Sequence, residues 1–174
     1  IKAANYIAEQ FKQIGLTAFN NSYLKSFVYK KAASPHDTST ANSPEKSANN
    51  VIGFLDNKAP HTIVIGAHYD HLGLGHDHNS KEANPEGKIH NGADDNASGT
   101  SGVLELVEKF ASIKDKLKRS FIFVTFSGEE LGMLGSNYFV QNLSIPYRTV
   151  TAMINLDMIG RLNDENNLTV YGTG

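Results

Sequence analysis

Apolar residues at Ile1, Tyr6, Ile7, Phe11 and Ile14 fall near a helical period and are followed by Gly15, which predicts an amphipathic helix ending at that glycine. A short strand is expected around Ser26–Lys30. Further along, the period changes: Asn50–Leu55 and Thr62–Ala67 read as strands, and the unbroken TIVIGA run of the second suits a strand buried on both faces of a sheet. Val103, Leu104, Leu106, Val107 and Phe110 mark a helix over Ala97–Phe110, and Ser120–Phe126 (SFIFVTF) marks another buried strand. Glu130–Val140 reads as a helix, Val150–Leu156 as a strand and Leu168–Tyr171 as a short final strand. Strands alternating with helices predict a mostly parallel sheet with helices on both faces.

Two stretches break the pattern. Ala32–Ala48 is rich in Ser, Ala, Pro and Thr and too poor in apolar residues to pack, so it is expected to be a surface loop. Residues 71–93 are rich in Gly, His and Asn and read as a long loop of the kind that is usually functional or disordered. With 174 residues and 40% hydrophobic content, the chain is expected to form one domain spanning residues 1–174. A formal charge of -2 gives no electrostatic reason to expect nucleic acid or an anionic membrane as a partner. No run approaches the roughly 20 apolar residues of a membrane span, and no signal peptide is visible. Opening at Ile1 without a methionine, directly in a helix, the sequence reads as a processed or shortened piece.

The chemistry gathers at strand ends. His68, Asp94, Glu129, Glu130 and Asp157 lie in AHYDH (67–71), NGADDNASG (91–99), FSGEELG (126–132) and INLDMIG (154–160), and open sheets of this type bind ligands beyond the carboxyl ends of their strands. There are no cysteines, so thiolate chemistry is excluded and any metal must be held by His, Asp and Glu, a donor set that suits zinc. A carboxylate with two oxygens can bridge two ions. Adjacent Glu129 and Glu130 would leave a strand in different directions, so one could bind metal while the other handles protons, although spacing does not say which. Asp70 stands two residues after His68, where its carboxylate could bond the ring nitrogen not used for metal.

Taken singly, each motif has an ordinary explanation: Asp94-Asp95-Asn96 as a helix cap, Glu129-Glu130 as an acidic helix start, His68 as a structural histidine, Asp157 as a turn residue. Their conjunction favours a metal site. His71, His76 and His78, with Asp77, could form a further metal site or supply a ligand, but are expected to be solvated loop residues, and His90 a structural one. Gly73-Leu74-Gly75 lacks the remainder of a dinucleotide fingerprint.

Those four segments, HYD, GADDNASG, SGEELG and NLDMIG, in this order between about Val51 and Gly160, resemble the motif set of the zinc-dependent exopeptidases related to aminopeptidase Y and bacterial leucyl aminopeptidases. Glutamate carboxypeptidase II, the transferrin receptor and the glutaminyl cyclases are more distant relatives. The resemblance implies the α/β zinc-exopeptidase fold, three-layer α/β/α with a mixed, mostly parallel central sheet, and a two-zinc aminopeptidase acting on peptides with a free N-terminus. It implies that Asp94 bridges both zinc ions, His68 and Asp157 complete one, Glu130 binds the other, Glu129 is general base and acid, and Asp70 orients His68. It further implies a cis Asp94–Asp95 peptide bond and favours an extracytoplasmic location. One departure stands out: the family's second zinc takes another histidine from a later segment, and no such residue precedes Gly174. The alternatives are a single-zinc glutaminyl cyclase, a non-catalytic binding domain of the transferrin-receptor kind, and an inactive portion of a longer enzyme.

Overall fold

The computed structural model describes residues 1–30, 43–77 and 79–172. In chain order its main elements are α1 (Lys2–Ile14), β1 (Thr17–Ala18), β2 (Leu24–Lys30), β3 (Glu45–Leu55), β4 (Thr62–His68), α2 (Gly99–Ser112), β5 (Ser120–Phe126), α3 (Leu134–Gln141) and β6 (Val150–Asn155). The strands form one sheet in the order β1-β3-β5-β4-β6, with β2 also paired to β3. β3 runs antiparallel to β1, β2 and β5, while β4 is parallel to both β5 and β6, so β3 alone opposes the direction shared by the other strands. The sheet is mixed and mostly parallel, as expected.

Register is what positions the site. His68 pairs with Phe126 and Gly66 with Asn155, so β4, β5 and β6 end side by side at one edge of the sheet. The residues that follow each strand therefore emerge together.

Alternation along the strands divides the core in two. On one face Val51, Leu55, Ile65, Ala67, Phe121 and Phe123 meet Ala4, Ile7 and Phe11 of α1 and Val103 and Val107 of α2. Gly53 lets α1 approach closely, since a Cβ there would lie 2.5 Å from Leu16 Cδ1 and 2.9 Å from Phe11 Cδ2. On the other face Ile52, Val64, Ile122, Val124 and Phe126 meet Phe139 of α3, whose ring stands edge-on to Phe126 at 5.8 Å. This second face also holds a cavity of about 410 Å³, walled by apolar residues of α3, β4 and β6 and opening toward His68, Glu129 and Asp157.

Helix α1 ends as predicted, with Gly15 in the left-handed region at φ 95°. Four expectations need correction. β3 begins at Glu45, inside the expected loop, because pairing with β2 from Lys30↔Glu45 onward satisfies its backbone without an apolar pattern. The rest of that loop up to residue 42 lies outside the described residues. α3 starts at Leu134 rather than Glu130, because the Glu129 carbonyl accepts both the Gly132 and Met133 amides and closes a turn first. Its left-handed glycines, Gly128 at φ 73° and Gly132 at 103°, suit that turn and not a helix. α2 starts at Gly99, after an irregular turn over Ala93–Ser98 in which Asp95 and Asn96 have non-helical backbone angles. Finally, residues 168–171 form no strand, and Leu168, Val170 and Tyr171 are exposed.

Phe11 is fully buried between α1 and the sheet. Phe11→Ala is expected to lower stability by about 3–5 kcal/mol, as cavity formation adds to lost burial, read as the shift in a urea unfolding midpoint at unchanged slope.

Candidate metal centre

His68, the last residue of β4, is buried to 2% exposure, an unusual place for an imidazole. Its Nδ1 lies 3.1 Å from the Asp70 backbone oxygen, and because a carbonyl only accepts, Nδ1 carries the proton. The lone pair of the neutral ring is then on Nε2, which faces carboxylates: Asp95 Oδ1 at 3.1 Å, Asp157 Oδ1 at 3.6 Å and Glu129 Oε2 at 3.9 Å. This is the tautomer a metal needs.

Asp70 does this with its backbone rather than with its carboxylate, which lies 3.7 Å from Nδ1. Its two oxygens instead accept the backbone amides of Glu129, at 3.2 Å, and Glu130, at 3.3 Å. The β4 end and the turn after β5 are thereby tied together. Asn79 adds a hydrogen bond of 2.7 Å from Nδ2 to the Glu130 carbonyl.

The aspartate beside His68 is Asp95, not Asp94. Asp94 Oδ1 accepts the Gly160 amide at 2.9 Å and its Oδ2 lies 3.9 Å from Arg161 Nε, so its carboxylate is turned toward the segment after Asp157. The cis peptide bond likewise falls one residue later than the resemblance implied, at Asp95–Asn96. Sequence reasoning missed Asp95 because two adjacent aspartates in a glycine-bounded turn carry no signal of which one faces inward. Only the path of the backbone decides it.

Asn96 supplies the brace between the two aspartate segments. It is buried to 1%, its Nδ2 donates to the Leu156 carbonyl at 2.9 Å, and its Oδ1 accepts the Gly99 amide at 2.9 Å and the Met158 amide at 3.3 Å. One side chain thus caps α2 and holds the loop bearing Asp157 against the turn bearing Asp95. Nothing but a short amide, with donor and acceptor, meets all three groups.

Burial, and after it the crowding of like charges, bears on the protonation of the cluster. Burial raises Glu130 to about 7, with Asp95 and Glu129 adding to the effect. Burial likewise raises Glu129 and Asp157, in each case opposed by His68 and reinforced by neighbouring acids. For His68, burial favours the neutral ring but is outweighed by Asp70, Asp157 and Glu129, which lift it to about 9. Acids gathered around one imidazole form a donor group that suits a cation.

The geometry fits one. One ligand atom from each of His68, Asp95 and Asp157 can be chosen so that all lie within 4.8 Å of one another. Ligands about 2.0–2.1 Å from a tetrahedral zinc stand roughly 3.3 Å apart, close to the separations from Nε2 of His68. Glu129 and Glu130 flank this group from their shared turn. Among the described residues, the loop histidines are engaged elsewhere: His71 Nδ1 lies 2.6 Å from the His90 carbonyl, His76 Nδ1 3.6 Å from Glu86, and His90 Nε2 3.3 Å from the Pro85 carbonyl. His78 lies outside the described residues.

Comparison with known proteins places this geometry. The profile of Peptidase family M28 matches residues 50–174, and the chain belongs to that family. It is 32% identical over 161 residues to the alkaline phosphatase isozyme conversion protein of Escherichia coli, covering 89% of this chain and 43% of that protein. It is 35% identical over 136 residues to leucine aminopeptidase 1 of Neurospora crassa, covering 75% of this chain and 32% of that protein. The chain therefore spans less than half the length of these relatives. In structure it matches the glutaminyl cyclase of Porphyromonas gingivalis with a TM-score of 0.70 at 22% identity, over 91% of this chain and 52% of that one, a likeness of fold alone.

Asn96→Ala leaves the Gly99 and Met158 amides without their acceptor. It is expected to cost about 1–3 kcal/mol in urea unfolding and to quicken amide exchange over residues 156–160 more than over α1.

Proposed function

We propose that this chain carries the zinc-binding and proton-transfer groups of an aminopeptidase, which hydrolyses the N-terminal bond of peptides with a free N-terminus. The observation that carries the reading is the buried His68, its Nε2 turned on Asp95, Asp157 and Glu129. In this reading Asp95 would take the place that the resemblance gave to Asp94, His68 and Asp157 would help it hold zinc, and Glu130 would hold a second ion. Zinc bound there would act as a Lewis acid toward the scissile carbonyl and would lower the pKa of water.

The remaining work falls to the protein's own groups. Glu129, partly exposed at the mouth of the site and disposed to hold a proton by its burial, takes a proton from the attacking water and returns it to the leaving amine. Asp70 holds the Glu129 backbone and, through its carbonyl, the His68 tautomer, so the proton carrier and the first ligand keep a fixed relation. The reading places the site in one domain and outside the cytoplasm, the latter by analogy with the family. Among the described residues no helix is long and apolar enough to cross a membrane.

Zinc uptake separates the two aspartates. Asp95→Asn should weaken zinc binding more than about 100-fold, beyond the 10–100-fold typical of outer-shell losses, whereas Asp94→Asn should change it by less than about 10-fold. Titration calorimetry against zinc reads both, and an equal loss in the two variants would overturn the choice of Asp95 over Asp94 as the ligand.

Glu129→Gln should retain zinc, measured by elemental mass spectrometry after dialysis, yet lower release of the N-terminal residue from a leucyl peptide by about 10²–10⁴-fold. Undiminished release would exclude Glu129 as the base. Cyclisation of an N-terminal glutaminyl peptide without release of any residue would instead assign a glutaminyl cyclase.

A further inference from the structure

Asn50 is fully buried in β3, with no part in the metal centre. An amide in the interior of a sheet costs stability unless both of its ends are paired. Both are. Nδ2 donates to the Gly135 carbonyl at 2.7 Å, and Oδ1 accepts the Ser127 amide at 3.2 Å. Those two partners stand at opposite ends of the segment that leaves β5, carries Glu129 and Glu130, and enters α3. Asn50 therefore closes a clasp across the base of that segment.

The fit is tight. A Cβ at Gly135 would collide with Asn50 Oδ1 and with the Ser127 carbonyl, so the glycine is needed for the amide to reach. Register explains the position: Val51 is opposite Thr125, so Asn50 lies one residue beyond, where β5 is about to end and its backbone would otherwise lose its partner. The neighbouring Asn49 reaches the same region from its backbone, its carbonyl accepting the Tyr69 hydroxyl at 2.6 Å.

We infer that Asn50 is a positioning residue for the Glu129–Glu130 turn, fixing its two ends from inside the sheet while Asp70 fixes its crest. Asp70 bonds the amides at the middle of the turn, and Asn50 bonds one amide before them and one carbonyl after them. With the ends free, the crest keeps its bonds to Asp70 but loses the frame that sets where both carboxylates point. The role in catalysis rests on the reading of Glu129 and Glu130 given above, whereas the clasp itself does not.

The test compares Asn50→Leu, which fills the space without bonding, with Val107→Ala, a core change in α2 remote from the turn. Asn50→Ser, too short to span both partners, carries the comparison if the Leu variant fails to fold. Amide exchange in the whole chain is read by NMR at Glu129, Glu130, Gly132 and Met133, and zinc affinity by calorimetry. The expected result is exchange about 10-fold faster at these amides in the Asn50 variant, zinc binding weakened by about 10-fold, and neither change in Val107→Ala at equal loss of melting temperature. Unchanged exchange in the Asn50 variant, or equal acceleration in Val107→Ala, overturns the inference. Should the unaltered chain take up no zinc, the metal reading fails, and exchange at the turn still decides the part of Asn50.

Discussion

The parallel register of β4, β5 and β6 is the constraint on which everything else depends. Ladder hydrogen bonds set His68 level with Phe126 and Gly66 level with Asn155, and a slip of one residue would turn His68 to the opposite face of the sheet. The apolar runs enforce that register from both sides. β5 is buried at all of its positions, and its residues divide between α1 and α2 on one face and α3 on the other. Packing energy that has nothing to do with metal thus fixes where His68, Glu129 and Asp157 emerge.

From that edge onward, polar contacts take over from apolar ones. The acidic turns cannot bury hydrophobic surface to hold themselves in place, so each is secured by a side chain with a full complement of partners: Asp70 for the Glu129–Glu130 turn, Asn96 for the turns bearing Asp95 and Asp157, Asn50 for the base of the segment after β5. Three short amide or carboxylate side chains achieve what loop length alone would prevent. Precise placement of charged groups requires this support, because a carboxylate left free among like charges moves away from them.

The same division explains an imbalance between the two faces of the sheet. α1 and α2 cover one face, whereas the other is covered in part by the short α3 and keeps a large apolar cavity beside β6. Met153 of β6, level with Val64 on that face, remains substantially exposed. The candidate metal centre sits at the rim of this less covered side, and Asp157 and Glu129 stay partly exposed.

Much of this was legible in the sequence because it depends on local periodicity. The helix ending at Gly15, the strands expected at Thr62–Ala67 and Ser120–Phe126, and the strand-end placement of His68, Glu129 and Asp157 follow from apolar spacing and turn residues. What escaped depends on contacts between distant segments. Strand β3 extends back to Glu45 only because β2 lies beside it, and α3 is delayed to Leu134 by a turn that the Glu129 carbonyl closes. In Asp94-Asp95-Asn96, residue type determined that an acidic turn precedes a helix, but which aspartate faces His68 was decided by Asn96 bonding Leu156 and Met158, some sixty residues away in the chain. The sequence by itself determined which groups were available and at which strand ends. Tertiary structure alone decided which of them converge, because direction in space is set by long-range hydrogen bonds that no local pattern encodes.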